Sequence, residues 1–465
     1  MQWQSGSRAW CGLICATLAA CSVGTPYRRP SVPLPTEWNA ASDTHAAVWP
    51  ESDWWHGFGS PRLDELIAQA QEGNDDLAAA IARVQEADAQ LRIAGAPLLP
   101  TVDLGATATR ERAGASVPGG TLGVYNVFNP VLSASYELDF WGKNRAARDA
   151  ARAAAVASRY DQQTVALTVV SSVATTYFQA LELRDRLQVA RQNLENGEKI
   201  LRGLTFEQDV GTATGLDVAQ QATVVALLYA AIPPLEEQFK QTVYALAVLI
   251  GRTPESIDVT DGTLTALKSP PVVSGMPSRL LSRRPDIAEA EQNLIAANAD
   301  IAVARAQLFP TIELTASGGY ESSVLSSLVS PANRAYALSG GLTQPLFRGG
   351  ALRGELAYSK ARYAELASTY HKTVLTAFSN VEGALVAARQ TAEQEERQAA
   401  AVAKAKRAYE FAQIQMSAGT VNILTVLNTE NALFGAQDTL VQAQYSRLQA
   451  LVDLFTALGG GWQQG

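Results

Sequence analysis

Cys21 is the side chain in this sequence best placed for covalent modification. It follows an apolar run from Ala9 to Ala20 with one preceding positive charge, Arg8, a pattern typical of a secretory signal peptide. The residues Leu18-Ala19-Ala20 before the thiol match a bacterial lipobox, in which small side chains let the peptidase approach the backbone. The sequence therefore predicts a signal peptide over residues 1–20, cleavage before Cys21, diacylglycerol on its sulfur and an acyl group on its amine.

The remaining reactive side chains do not form a catalytic or metal-binding pattern. Cys11 and Cys15 leave with the signal peptide, so no thiol remains for a disulfide or a metal site. The three histidines, His45, His56 and His371, have no ligand spacing. No phosphate-binding loop or nucleophile motif is present in the sequence. We therefore expect that the protein is not an enzyme and that it has no cofactor apart from the lipid.

The residue after the predicted lipidated cysteine bears on localisation. Ser22, rather than Asp, at this position favours export to the outer membrane.

Composition excludes two further classes. The 465 residues are 47% hydrophobic and 18% charged, with a formal net charge of −8. No basic stripe suggests a nucleic-acid partner. No stretch of 18 consecutive apolar residues is present, so we expect no transmembrane helix.

Two halves of the chain repeat each other. LLPTVDLGATATR (98–110) corresponds to LFPTIELTASGGY (308–320), an offset of 308 − 98 = 210, and VGTATGLDV (210–218) corresponds to AGTVNILTV (418–426), an offset of 418 − 210 = 208. Similarity of Ala-rich helices by composition would not place Leu-Pro or Phe-Pro before alternation in both copies. The sequence predicts two copies of one unit: helix, strand, loop, strand, long helix, tight turn and helix.

Four segments alternate between apolar and polar residues with a period of two. Each has about the 9–11 residues that a tilted strand needs to cross a bilayer, and Pro130 and Pro345 are expected near strand ends, where a missing donor is tolerated. Amphipathic hairpins packed on the helices would give the same pattern, but the predicted signal and lipid favour membrane strands. The predicted strands are 101–110, 127–141, 311–321 and 334–346.

Four strands cannot form a membrane barrel alone. Open sheet edges are not tolerated in lipid, and the smallest membrane barrels have about eight strands. We infer that several chains each contribute four strands to one closed barrel. Two or three subunits would satisfy this argument.

Long helices follow each strand pair. Residues from Lys143 to about Leu204 contain no Pro, and about sixty helical residues span roughly 90 Å. Apolar residues recur at alternating spacings of four and three in both copies, which indicates coiled-coil-like packing. Return helices should run to Gly251 and Gly459, with a kink at Pro233-Pro234. The ladder positions are Val156, Tyr160, Gln163, Leu167, Val170, Ala174, Tyr177 and Leu181, then Tyr363, Ala367, Tyr370, Val374, Ala377, Val381, Ala384 and Ala388.

Several short motifs, together with the duplication and the lipobox, resemble a known family. The strings are WWHGFGSPRLDELI (54–67), LSRRPDI (281–287), LFP (308–310) and ALGGGW (457–462). The chain resembles the outer-membrane efflux channels of the TolC and OprM family, in its lipoprotein branch. Ser60 stands where the family often has Asp before Pro, and we interpret it as a lost helix cap.

The resemblance implies a mainly α fold with transmembrane β strands. It implies a homotrimer whose 12-stranded β-barrel lies in the Gram-negative outer membrane and continues into a long periplasmic α-helical barrel. The implied partners are a periplasmic adaptor, an inner-membrane pump of the resistance-nodulation-division class and outer-membrane lipid. The chain would be the passive exit duct for drugs and toxic compounds. Alternatives are the duct of a type I polypeptide secretion system and a lipid-anchored coiled-coil scaffold without a pore.

The resemblance also places a gate at the periplasmic end. The gate positions are Asp217, Leu424, Thr425 and Asn428, with Asn at 428 where the family usually has Asp. Asp217 also fits a solvated first-turn residue favoured by the helix dipole. Adaptor docking is implied at the helix-turn tips Gly211, Thr212, Gly419 and Thr420.

The predicted division of the chain follows from these elements. It comprises a signal peptide (1–20), a lipidated extended segment (21–57), a first repeat (58–260), a linker (261–284), a second repeat (285–460) and a C-terminal tail (461–465).

Overall fold

The computed structural model describes residues 23–33, 35, 37–39, 49–112, 123–271 and 277–462. The predicted signal peptide and Cys21 lie outside the described residues. So do the middle of the loop between the first two strands and part of the predicted linker.

The two copies contain the same elements in the same order. The long helices have 67 residues in each copy, and the return helices have 35 in each copy. This equality confirms the duplication predicted from the sequence. The first copy comprises α1 (Pro61–Gly73), α2 (Asp75–Gly95), β1 (Thr101–Arg112), β2 (Val124–Glu137), α3 (Lys143–Asp209) and α4 (Gly215–Leu249). The second copy comprises α5 (Pro285–Ala306), β3 (Thr311–Tyr320), β4 (Arg334–Thr343), α6 (Ala351–Ser417) and α7 (Ile423–Ala457).

The second strand ends four residues before the predicted position 141. Asp139 ends it, because its carboxylate oxygens accept the backbone N–H groups of Asn144 and Arg145, each at 2.9 Å. These bonds cap the start of α3, and Gly142 turns the chain with a φ of 79°. The fourth strand ends at Thr343 rather than 346, and the third at Tyr320.

Pro130 lies in the middle of β2, so the prediction that it lies near a strand end is wrong. It pairs with Ala106 of β1. On the other side, β2 pairs with β3 only from Val131, and Phe128 exchanges both backbone hydrogen bonds with Ser322 further along. The missing N–H of Pro130 therefore falls in a gap of the β2–β3 ladder, where it removes no bond to β1.

The chain forms two compact units. The first contains the sheet and comprises Met1–Ser31, Arg83–Arg159 and Glu289–His371; the second comprises Val32–Ala82, Tyr160–Ala288 and Lys372–Gly465. The boundary falls within α2, α3, α5 and α6, each of which is a continuous helix.

The family-like motifs meet in the core of the second unit. The Trp54 ring stacks on Phe455 with centroids 5.0 Å apart, and Phe58 packs edge-on against Phe178 at the same distance. Gly459 has a φ of 93°, and a Cβ there would lie 1.8 Å from the carbonyl oxygen of Arg283. The WWHGF, SRRP and ALGGGW strings are therefore packing elements.

Ser60 is a working helix cap, so its interpretation as a lost cap is wrong. Its hydroxyl oxygen accepts the backbone N–H of Leu63 at 3.2 Å, and Pro61 occupies the first helical position of α1. Serine has the same short acceptor geometry as Asp at this position.

The apolar positions predicted to recur along the long helices are buried in part. In α3 the members of this set from Val170 to Leu181 are buried, and in α6 those from Tyr370 to Ala384 are buried. Gln163 is exposed, which ends the buried part of the first ladder. The return helix α4 continues through Pro233 and Pro234.

Candidate functional site

The four strands form one antiparallel sheet in the order β1-β2-β3-β4. The register fixes which side chains share a face, because directly paired residues lie on the same side of an antiparallel sheet. One residue from each of the four strands, each paired with the next, forms a row across the sheet.

One face of the sheet is apolar and exposed. Leu104 pairs with Leu132, which continues through Gly318 to Tyr336. The exposed fraction is 80% for the Leu104 side chain and 84% for Tyr336. The neighbouring row on this face is Val102, Ala134, Ala316 and Leu338.

The opposite face is polar and is also uncovered. Ser133 pairs with Asp103 and Ser317, and the Ser135 hydroxyl donates to Glu313 at 2.8 Å. The neighbouring row on this face is Thr101, Ser135, Thr315 and Ser339. A sheet with one apolar and one polar face, neither covered by its own chain, fits a wall between lipid and water.

Both outer strands of this sheet have an unpaired edge within the described residues. Their lengths are 12 residues for β1 and 10 residues for β4. An edge of that length in lipid leaves several backbone groups without partners, each costing several kcal/mol. The sheet therefore needs further strands to be stable in a membrane.

The tight turns have the same geometry in both repeats. The Thr212 N–H donates to the Glu207 carbonyl at 2.8 Å, and Thr420 donates to Gln415 at 2.9 Å. Gly211 and Gly419 precede these threonines with φ values of 84° and 70°. This is the glycine-terminated helix end in which the final N–H reaches back five residues.

Asp217 is part of a capping box at the start of α4. Its backbone N–H donates to the Thr214 hydroxyl at 3.2 Å, while its carboxylate accepts the Thr214 N–H at 2.8 Å and hydroxyl at 2.6 Å. The Thr214 hydroxyl and N–H hold the pKa of the Asp217 carboxyl below its usual range. Asp217 is therefore ionised at neutral pH, and within one chain it serves as a cap.

The second-copy gate candidates lie on the first turns of α7. Asn422 caps this helix by accepting the Thr425 N–H at 3.3 Å and its hydroxyl at 3.2 Å. Leu424 and Asn428 are exposed, whereas Thr425 is half-buried. Within one chain, the described residues show no hydrogen bond or ion pair joining Asp217 to these three.

An apolar cluster holds the two turns together. We call it the tip cluster: Leu204 of α3, Ala412 of α6 and Ile423, Val426 and Leu427 of α7 are buried. The half-buried side chains of Val218 and Tyr409 pack against it, so all four helices contribute.

A protein-family model matches most of the chain twice. The model for outer membrane efflux proteins covers residues 66–252 and 276–460. The chain belongs to the outer membrane efflux protein family. It is also 40% identical to the pyoverdine export outer membrane protein OpmQ of Pseudomonas putida over 96% of both chains. It is 40% identical to OpmQ of Pseudomonas aeruginosa over 97% of this chain and 96% of that one.

A solved outer-membrane channel has the same fold. The outer-membrane channel OprN superposes with a TM-score of 0.90, at 28% sequence identity, over 96% of this chain and 100% of that one. As a member of the outer membrane efflux protein family, this chain is a Gram-negative outer-membrane channel component and not an enzyme.

Neither the search for metal-binding side chains nor the search for membrane-spanning helices changes this assignment. In the part of the chain that the structure describes, no group of three or more His, Cys, Asp or Glu side chains could hold a metal ion. Contrary to the expectation from consecutive residues, α3 and α4 are long and apolar enough to cross a membrane by length and average composition. Buried helices of soluble proteins also meet this criterion; 44% of the apolar window of α3 and 11% of that of α4 are buried inside the chain.

Sequence reasoning missed one polar pair beside the tip cluster of this efflux protein. Glu430 and Gln221 are both fully buried. The signal was available, because Glu430 continues the helical stripe of Ile423 and Val426 that faces the cluster.

Proposed function

We propose that this chain is the passive outer-membrane exit duct of a tripartite efflux assembly, built from three copies. The three sheets together close a 12-stranded barrel in the membrane, and the long helices line a periplasmic tunnel. Three copies of a sheet with two free edges leave no edge in the lipid.

The single observation that carries the proposal is the two-faced sheet. Its apolar face requires lipid, its polar face requires water, and its edges require strands from other copies. The strands have 10–14 residues, enough to cross the hydrocarbon core when tilted. Each 67-residue helix has a length of about 100 Å, far more than any bilayer needs.

An extended segment supports lipid anchoring at Cys21. We call residues 23–29 the strap; it runs antiparallel along α5. The Val23 carbonyl accepts from Arg305 at 2.6 Å, the Thr25 carbonyl accepts from Asn298 at 3.0 Å, and Arg29 donates to Glu291 at 2.6 Å.

The strap, which begins two residues after Cys21 in the sequence, reaches the level of the sheet. Its six residue steps extend about 20 Å, which matches about 21 Å of helix between residues 291 and 305. Val23 thus lies at the end of α5 that leads into β3. Mass spectrometry of the mature N-terminal peptide tests this: we expect a triacylated Cys21, and an unmodified Cys21 contradicts lipid anchoring.

The partners follow from the proposed duct. A passive channel supplies no driving force, so we propose a periplasmic adaptor that docks at Gly211, Thr212, Gly419 and Thr420 and an inner-membrane resistance-nodulation-division pump. Because OpmQ is named for pyoverdine export, pyoverdine is the first compound to test. Deletion should lower its extracellular amount, and the wild-type gene should restore it.

The gate positions lead to a separate proposal about ion sensitivity. In a threefold assembly Asn428 and Asp217 each occur three times. A ring of three carboxylates attracts cations and repels itself, and Asn428 carries no such charge. We propose that Asp217 and Leu424 contribute to closure and that Asn428 makes the gate less sensitive to pH and divalent cations than a gate with Asp at this position.

Single-channel recording in planar bilayers tests the duct. We expect stepwise currents from the purified protein. A scaffold without a pore gives no current, and that result would overturn the proposed function.

A further inference from the structure

A buried polar pair crosses the four-helix packing directly behind the tip cluster. Gln221 lies one turn after Val218 on α4, and Glu430 lies one turn after Val426 on α7. Both side chains have an exposed fraction of 0%. The pair therefore interrupts an apolar interior close to the two turns.

The hydrogen bonds of this pair are incomplete when Glu430 is ionised. The Gln221 amide nitrogen donates to the Gly197 carbonyl of α3 at 2.9 Å. Among the described residues, the Gln221 amide oxygen and both Glu430 carboxyl oxygens have no hydrogen-bond partner. The remaining N–H of the Gln221 amide is the only donor that the pair itself offers to these three acceptors, and a proton on Glu430 adds a second.

Gly197 lets α3 and α4 approach closely at this pair. A Cβ at Gly197 would lie 3.2 Å from the Leu228 side chain and 3.5 Å from the Gln221 amide nitrogen. The close approach holds Gln221 between α3 and α7. An ionised Glu430 has no cation beside it in the described part of the chain, and separation of the helices would give its carboxylate access to water.

The titratable neighbour from α6 supplies no positive charge to Glu430. Tyr409 packs against the tip cluster, and burial, together with the Glu430 carboxylate, raises its pKa to about 12. Tyr409 thus stays neutral at physiological pH and supplies no positive charge. On the same helix, Arg407 and Glu410 are exposed.

The charged groups of α3 and α4 near this pair form ion pairs or hydrogen bonds with other residues. On α3 the nearest charges form exposed pairs, Lys199 with Glu195 at 2.8 Å and Arg202 with Glu198 at 3.6 Å. On α4, Asp217 is held by its own cap. Burial raises the pKa of Glu430 to about 7, against a smaller lowering by Gln221.

We propose that Glu430 and Gln221 form a proton-dependent latch that keeps the tip helices packed while Glu430 is neutral and loosens them when it ionises. This inference adds regulation to the proposed duct and rests on it. Because the pKa of Glu430 is raised above the ordinary carboxyl value, the stabilisation is complete at low pH and is lost as the pH rises through about 7. Open tips are therefore favoured above neutral pH.

The first experiment records single-channel open probability of the wild type and Glu430→Gln at pH 6 and pH 8. The ionised fraction of Glu430 rises from about one-tenth to about nine-tenths over this range. We expect the wild-type open probability to rise several-fold and the Glu430→Gln variant to change little. Glu410→Gln, an equal charge change at an exposed position of α6, is the matched control and should behave as wild type. Equal pH responses in the wild type and Glu430→Gln would overturn the latch.

A second measurement does not depend on current. Hydrogen exchange at residues 197–204 and 423–430 is compared between wild type and variant at the same pH, so intrinsic exchange rates cancel. We expect faster exchange in the wild type at pH 8 and equal exchange at pH 6; equal exchange at both would contradict the latch. Glu430→Met removes the same titration if the glutamine variant does not fold. If neither the wild type nor the variants gave any current but the exchange difference at pH 8 were still observed, the proposed duct would be wrong and the latch would still be supported.

Discussion

Replacing Leu132 by arginine should strongly destabilise the protein in lipid. Leu132 lies near the middle of β2, pairs with Leu104 and Gly318 on the apolar face, and has an exposed fraction of 52%. An arginine on the lipid face near the bilayer midplane costs about 2–4 kcal/mol per chain. This corresponds to roughly a 30-fold to 900-fold loss in the folding equilibrium constant.

The adjacent residue provides the matched control. Ser133 is one position along the same strand, and its side chain therefore lies on the polar face, where its hydroxyl donates to the Asp103 carbonyl at 3.4 Å. Ser133→Arg introduces the same charge at the same depth but into the predicted water-filled lumen. We expect it to cost less than about 1 kcal/mol, within the usual range for surface substitutions plus one weak hydrogen bond.

Urea titration of folding into phospholipid vesicles measures both variants. The folded form is followed by its electrophoretic mobility, and midpoints are compared at equal slope. If Ser133→Arg were as destabilising as Leu132→Arg, the assignment of the two faces to lipid and water would be wrong.

Three further substitutions test other parts of the structure. Gly251→Ala should lower the free energy of unfolding markedly, because Gly251 has a φ of 67° and its new Cβ would lie 1.9 Å from the Gly73 carbonyl oxygen. Thermal unfolding measures this loss, and the control variant Gly354→Ala, where nothing lies within 4 Å of the new Cβ, should show none. Thr214→Ala removes the α4 cap and should cost about 1 kcal/mol, seen as faster amide exchange confined to the first turn; protection equal to wild type would argue against the capping box. Asn428→Asp should introduce block of the current by divalent cations, and an unchanged block would count against a gate ring at this position.

The sequence predicted the repeated elements well, because offsets near 208 recur in turns and strands that composition cannot explain. Both long helices and all four strands were confirmed. Strand ends were less accurate: Asp139 caps α3 through two backbone N–H groups, and alternation alone does not reveal such a cap. Pro130 was misplaced because a central proline is tolerated where the neighbouring ladder has a gap.

The site was predictable only in part. The matching Gly-Thr turns follow from sequence, since glycine at a helix end favours left-handed backbone. The Glu430–Gln221 pair was missed because a glutamate is ordinarily solvated, and its burial depends on three other helices. The role of Asn428 stays a prediction, because a ring around an axis exists only in an assembly.

The number of chains that contribute strands to one barrel tests the proposed trimeric duct most directly. Thr107→Cys on β1 and Ser339→Cys on β4 place thiols on the polar face at the two free edges. Ser339 lies in the same row as Thr101. Within one chain the two positions are therefore about 14 Å apart across the sheet and about 20 Å apart along the strands, too far for a disulfide. The register between β1 of one chain and β4 of the next is found by moving the β1 cysteine along the polar face. Oxidation of the matching double variant in vesicles should give cross-linked species of two and three chains and none larger. A protein that remains a single chain in vesicles, or a ladder that stops at two, would contradict the trimeric barrel.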